Sequence, residues 1–123
     1  MTETEATTYL IELGDRHGLS LQEVREMIPS SIRDDVVKCA EFAEMRDISH
    51  DLPQSTHPEL ANDPSNMIFE DPSANRSRGA VEMTVYEEQA AHLDNEILAA
   101  QIDSTPSGDW NMIPDFIPIL GLV

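Results

Sequence analysis

Residues 18–29 read Gly-Leu-Ser-Leu-Gln-Glu-Val-Arg-Glu-Met-Ile-Pro, and this stretch decides the fold predicted for the first part of the chain. Ser20 and Glu23 are spaced as a capping box, in which each side chain accepts a hydrogen bond from the other residue's backbone amide at a helix start. Leu21, Val24 and Ile28 then fall on one helical face. Pro29 disfavours continuation, so a short amphipathic helix is predicted to end before it.

A further short helix is predicted on each side of this stretch. The earlier helix has apolar residues at helical spacing and ends between Gly14 and Gly18; its stripe is Ala6, Tyr9, Leu10 and Leu13. The later helix runs from about Asp34 through Ile48, with the stripe Val36, Cys39, Ala40 and Ala43. Residues 1–48 are therefore predicted to form a small three-helix domain.

The rest of the chain divides into three segments. Residues 49–83 are rich in Pro, Asp and Ser and are predicted to be an extended linker, with an apolar island at residues 67–69. Residues 84–102 are predicted to form an amphipathic helix that starts at a Thr84–Glu87 capping box, its apolar face being Tyr86, Ala90, Leu93 and Ile97. Residues 103–123 break this helix and continue as an apolar docking tail. The expected fold class is mostly α.

The charge balance limits the partners that the protein can bind. The 123 residues include 24 acidic and 7 basic side chains, a net charge of −17. Contacts to nucleic-acid phosphates and to anionic lipids need Lys and Arg, so direct binding to nucleic acid or a membrane is not expected. A basic partner surface is expected instead.

Location and chemistry are constrained by what the sequence lacks. Neither a signal-like N-terminus nor a membrane-spanning apolar run is present, which predicts a cytoplasmic protein, in a bacterium or in an infected host cell if the gene is a phage's. The single cysteine, Cys39, excludes an internal disulfide and a Cys-based zinc site. The four histidines lack tight metal-ligand spacing, and no Gly-rich phosphate loop occurs. We expect no cofactor, no metal and no catalytic residues.

Part of this pattern is similar to a known family. The residues that carry the similarity are Leu10, Gly14, Gly18, Leu19-Ser20, Glu23-Val24 and Ile28-Pro29. They resemble the first helical hairpin of region 1.1, the acidic N-terminal domain of bacterial primary sigma factors, and residues 34–48 resemble its Asp-led third helix. Asp71-Pro72, residues 78–84 and Glu87-Glu88 are similar to the following region 1.2.

In that family the acidic domain occupies the basic downstream-DNA channel of RNA polymerase until DNA displaces it. The resemblance therefore implies a non-enzymatic transcription regulator that binds bacterial RNA polymerase as a DNA mimic. The acidic candidates for the contact are Glu12, Asp15, Glu23, Glu26, Asp34, Asp35, Glu41, Glu44 and Asp47. The apolar candidates, in the tail, are Trp110, Ile113, Phe116, Ile117 and Leu120.

Other interpretations of the same features stay open. The acidic domain could inhibit a different basic nucleic-acid-binding protein, such as a nuclease, a repressor or a CRISPR effector. The protein could instead be a virion or assembly adaptor that docks by its tail. The acids could also be an ordinary solvated surface, and the tail could pack on its own domain or on another copy. The oligomeric state is left undetermined by the sequence.

Overall fold

The computed structural model describes residues 1–105, which form five α-helices and two short strands. In chain order these are α1 (Glu3–His17), α2 (Leu21–Glu26), α3 (Val36–Glu44), β1 (Asp47–His50), β2 (Met67–Glu70), α4 (Pro72–Arg78) and α5 (Val85–Asp103). Two single turns of 3-10 helix, Pro58–Leu60 and Pro64–Asn66, lie between the strands. The prediction of a mostly α fold is confirmed.

The first two helices form as their sequence patterns predict. Both halves of the Ser20–Glu23 capping box are present, and Gly18 ends α1 with a φ of 72°, which suits glycine. Gly14 allows the next loop to approach closely, because a Cβ there would lie 2.6 Å from the carbonyl oxygen of Leu19. The predicted faces are buried in one core, whose fully buried members here include Ala6, Leu10, Val24 and Ile28.

The third helix is shorter than the sequence predicts. It starts at Val36 rather than near Asp34, because the Asp35 carboxylate caps it by accepting hydrogen bonds from the backbone amides of Val37 and Lys38. It ends at Glu44, and Asp47–His50 is a strand, so the prediction of a helix through Ile48 is wrong. Ile48 pairs with Phe69 of β2 instead.

Residues 49–83 are folded, which corrects the prediction of an extended linker. β1 and β2 are antiparallel, with Asp47 opposite Glu70 and His50 opposite Met67. The apolar island is β2 itself, and its Phe69 ring meets the Phe42 ring edge-on with centroids 5.4 Å apart. The pairing of β1 with β2 joins residues about twenty positions apart in sequence, so the local spacing of Pro and Asp residues did not predict it.

Helix α5 is confirmed, yet the face predicted to be buried is the wrong one. The structure buries the opposite side of the helix, at Ala91, Asn95, Leu98, Ala99 and Ile102. Its alanines let α5 pack closely on β2 and α3, and the Asn95 Nδ2 donates a 2.8 Å hydrogen bond to the carbonyl oxygen of Phe69. Tyr86 and Leu93, of the predicted face, are 84% and 50% exposed. Of the predicted docking tail, residues 103–123, Asp103 is the last residue of α5, and residues 106–123 lie outside the described residues.

Candidate partner-binding surface

The structure divides the nine predicted acidic residues into three groups. Six are exposed: Glu12, Asp15, Glu26, Asp34, Asp35 and Glu44. Glu23 and Asp47 are half-buried. Glu41 is 2% exposed. The five predicted apolar residues, Trp110, Ile113, Phe116, Ile117 and Leu120, belong to the tail and lie outside the described residues.

Glu41 is therefore not part of an accessible acidic surface. It lies in a helix that packs against α1 on one side and α5 on another, which leaves little of α3 facing water. The i, i+3 spacing predicted that Glu41 and Glu44 would present their charges together, and this prediction is wrong. Sequence spacing gives the angle between two side chains but not how many neighbouring elements surround the helix.

Two of the remaining carboxylates are occupied by local contacts. Glu23 Oε1 accepts a 2.8 Å hydrogen bond from the backbone amide of Ser20 in the capping box. Asp47 Oδ2 accepts a 3.2 Å hydrogen bond from Asn75 Nδ2 and lies 4.0 Å from the Arg76 Nε. The exposed Asp35 is occupied likewise, because its carboxylate caps α3. These three groups are less available to a partner than the other five exposed carboxylates.

The outer face of α1 carries an acidic stripe. Glu5, Glu12 and Asp15 fall within about a quarter of the helix circumference at 3.6 residues per turn, on the side opposite the buried Leu10. Glu44 of α3 is close to this helix, since its charge, after the larger effect of burial, raises the pKa of Tyr9. Glu44 therefore lies near the Tyr9 edge of this stripe, where the exposed Arg16 also lies.

Glu26 and Asp34 are brought together at a second place. Both line an open cavity of about 420 Å³ beside α2, together with Leu21, Gln22, Arg25 and Arg33. The two arginines there direct their guanidinium N–H groups to backbone carbonyls. The Arg25 guanidinium donates to the carbonyl oxygen of Arg33, and Arg33 donates to the carbonyl oxygens of Arg25, Glu26 and Ile28, so they cap the open end of α2.

The other internal cations are also engaged or buried. Arg78 and Glu70 form a bidentate salt bridge with both distances at 2.7 Å, and each side chain is 5% exposed. Lys38 Nζ lies 3.2 Å from Asp103 Oδ1. Burial lowers the pKa of the Arg46 guanidinium, against the opposing charges of Asp94, Asp71 and Glu70.

This inward placement of cations was missed by the sequence reasoning and determines the surface charge. Within residues 1–105, Arg16 and Arg76 are the two exposed bases. Thirteen acids are exposed in the same range: Glu3, Glu5, Glu12, Asp15, Glu26, Asp34, Asp35, Glu44, Glu59, Asp71, Glu82, Glu96 and Asp103. These contacts were hard to predict from the sequence, because those of Arg25, Arg33 and Arg78 join residues up to nine positions apart across turns.

Residues 1–105 contain neither a cluster of metal ligands nor an activated cysteine. No group of three or more His, Cys, Asp or Glu side chains in residues 1–105 is placed to hold a metal ion. Cys39 is fully buried, its Sγ faces the carbonyl oxygens of Ile32 and Arg33, and burial raises the pKa of its thiol. A thiol in this setting is a poor nucleophile. Among the helices that the structure describes, none has the length and apolar character to cross a membrane.

Comparison of the chain with protein-family models, with curated proteins and with solved structures gives no match.

Proposed function

We propose that this protein is a non-enzymatic regulator of transcription that binds the basic DNA channel of bacterial RNA polymerase in place of DNA. The observation that carries the proposal is the charge separation between the inside and the outside of the fold. Five of the seven bases, Arg25, Arg33, Lys38, Arg46 and Arg78, are partly or largely buried, while thirteen acids within residues 1–105 are exposed.

This arrangement favours a basic groove as the partner. Proteins that hold DNA line the groove with Lys and Arg, because the duplex carries one negative charge per about 1.7 Å of its axis. A negatively charged surface with few cations to interrupt it is attracted to the same groove, and the attraction accelerates encounter more than it strengthens the final complex. Association should therefore be fast and sensitive to salt.

The first contact surface to test is the acidic stripe of α1 with the adjoining Glu44. Its acids project from a helix held by the core, so their spacing is preorganised before a partner arrives. The choice of RNA polymerase among basic partners rests on the resemblance of residues 10–48 to region 1.1 of sigma factors.

The test measures binding of the full chain to core RNA polymerase by surface plasmon resonance. It is run at low and high salt, with and without downstream duplex DNA. The variant is Glu12→Gln/Asp15→Asn/Glu44→Gln. The matched control, Glu59→Gln/Glu82→Gln/Glu96→Gln, removes the same charge from exposed positions elsewhere. Each exposed ion pair contributes about 0.2–1 kcal/mol, so the variant should bind about threefold to 150-fold more weakly than the control.

Three results would count against the proposal. Absence of binding at low salt would exclude polymerase, and capture of a nuclease or repressor under the same conditions would favour the inhibitor alternative. Equal weakening by the variant and the control would show that net charge, rather than the α1 surface, determines binding.

A further inference from the structure

A further cavity, of about 310 Å³, opens between the turn after α2, strand β2 and helix α5. Buried residues form its inner wall: Ile28, Pro29, Met67, Ile68 and Asn95. Exposed residues form its rim: Glu26, Ser30, His92 and Glu96. Ligand pockets in proteins begin at about 300 Å³, so this volume suits one long side chain or a small molecule of that size.

The side-chain amide of Asn95, on the inner wall, has one partner and lacks another. Asn95 is 4% exposed, and its Nδ2 donates to the carbonyl oxygen of Phe69, which fixes the orientation of the amide. Its Oδ1 is buried and accepts no hydrogen bond within residues 1–105. An unpaired buried acceptor is costly in free energy, so it indicates a missing donor. A donor bound in the cavity would supply it.

The charged groups around the cavity favour a cationic donor. Glu26 and Glu96 lie on its rim, at the end of α2 and on α5. Arg33 also lines the cavity, but its Nε and Nη2 donate to backbone carbonyl oxygens at the end of α2. An anion would meet two carboxylates and an unpaired amide oxygen, whereas a cation is attracted to all three groups.

We infer that this cavity receives a primary alkylammonium group, the side chain of a lysine on the basic partner. Lysine carries a compact charge with three N–H donors on a flexible four-carbon stem. The stem suits the apolar inner wall, where Ile28 is fully buried and Met67 and Ile68 are nearly so. Arginine fits less well, because its planar fork of donors is matched by paired acceptors such as one carboxylate facing it.

The partner's identity rests on the proposed function, whereas the preference of the cavity for an alkylammonium group does not. Long-range attraction by exposed acids steers any basic surface toward this protein but gives little register. A lysine held by Asn95 and the two rim carboxylates fixes one point of the complex. Of these three groups, the sequence analysis singled out Glu26 alone.

The experiment titrates the isotope-labelled full chain with n-butylammonium chloride and follows the amide chemical shifts by NMR, in the absence of polymerase. The matched probe is butyltrimethylammonium, which has the same stem and charge but no N–H donor. Expected are saturable shifts at Ile68 and at the side-chain amide of Asn95, with nuclear Overhauser effects from the butyl protons to Met67. The trimethyl probe should bind about tenfold more weakly, since it cannot donate to Oδ1.

Two variants locate the binding in the cavity. Glu26→Gln/Glu96→Gln should weaken butylammonium binding about twofold to 30-fold, since each exposed ion pair changes affinity by about 1.4-fold to fivefold. The control, Glu59→Gln/Glu82→Gln, removes the same charge from exposed positions elsewhere and should bind as the parent does. Asn95→Leu should abolish the saturable shifts. If circular dichroism shows that it does not fold, the rim variant and the trimethyl probe decide.

Equal binding of the two probes would overturn the inference, because N–H donation would then contribute nothing. So would the absence of saturable shifts at the cavity, or equal weakening in the rim variant and its control. Polymerase takes no part in this titration, so the cavity and the proposed function can fail separately. Saturating n-butylammonium should also weaken polymerase binding more than the trimethyl probe does. Equal effects there would overturn the assignment to a partner lysine.

Discussion

The three N-terminal helices and the segment from β1 to α4 are stabilised by different kinds of buried group. Helices α1 to α3 bury mainly apolar side chains, such as Leu10 and Val24, together with one charged side chain, Glu41. The later segment adds Met67 and Phe69 to the same core but buries more polar groups, namely Ser49, Asn66 and Glu70, and it also encloses the Arg78 side chain. Apolar packing weakens in proportion to the atoms removed, whereas a buried polar pair fails as a unit, because the partner left behind is desolvated without a contact.

The sharpest test of this difference is Glu70→Ala. Removing Glu70 leaves the Arg78 guanidinium enclosed without its bidentate carboxylate. Loss of one partner of a buried salt bridge costs about 3–5 kcal/mol, and we expect a fall of that size in the free energy of unfolding, measured by urea denaturation.

The control for this prediction replaces both partners, as Glu70→Leu/Arg78→Met. A buried pair exchanged for apolar residues is often neutral, so the double variant should regain most of the lost stability. A double variant as unstable as Glu70→Ala would show that the β1–α4 segment does not differ from the helices in the proposed way.

Leu10→Ala tests the apolar half of the comparison. Leu10 is fully buried between α1 and its neighbours, and leucine-to-alanine changes in such positions cost about 2–5 kcal/mol. Leu10→Met should cost less than about 1.5 kcal/mol, since it conserves volume. Urea unfolding of the two variants measures the gradation, and equal losses from both would contradict graded packing.

Asn66→Ala should lower the free energy of unfolding by less than Glu70→Ala or Leu10→Ala. Its side chain accepts a 2.9 Å hydrogen bond from the Leu52 amide and donates a 3.0 Å bond to the Leu52 carbonyl. Leaving these groups unpaired costs about 1–3 kcal/mol. The exposed Asn62→Ala is the control and should stay within about 0.5 kcal/mol of the parent in the same unfolding assay.

The smallest expected effect is at the start of α5, where Thr84→Ala removes an N-cap at a cost of about 0.5–2 kcal/mol. Thr8→Ala, in the exposed middle of α1, removes a threonine that caps nothing and is the control. Thermal unfolding measures both, and an equal response would mean that the cap contributes no stability.

The same cap predicts an acid dependence. Hydrogen bonds from the Thr84 amide and hydroxyl lower the pKa of Glu87 from its ordinary value of 4.5. A carboxylate with a lowered folded pKa adds stability above the unfolded pKa, and this is lost as the pH falls through the folded pKa. The loss between neutral and acidic pH should therefore be smaller in Thr84→Ala than in Thr8→Ala.

Features encoded by neighbouring residues were predictable from the sequence. The capping boxes at Ser20 and Thr84 and the face containing Ala6 and Leu10 follow from spacings of three and four residues, and all are confirmed. The β1–β2 pair was not predictable, because its register depends on contacts between distant segments. The covered face of α5 was ambiguous, since both of its sides are apolar.

The candidate surface was predictable only in part for the same reason. Acidic residues on the outside of α1 follow from helical spacing, but the burial of Glu41 depends on how the other elements pack around α3. The withdrawal of Arg33 and Arg78 from the surface depends on turns that bring backbone carbonyls and Glu70 to them. Net charge was therefore known from the sequence, and its distribution was not.

The enclosed thiol of Cys39 gives the molecule an internal reporter of its own opening. An alkylating reagent in native buffer can modify this sole cysteine only in the fraction of molecules whose N-terminal helices have separated. With fast reclosing, the labelling rate divided by the rate of the unfolded chain is the equilibrium constant for that opening. If Glu70→Ala lowers global stability without changing this ratio, the helices and the β1–α4 segment open as separate cooperative units.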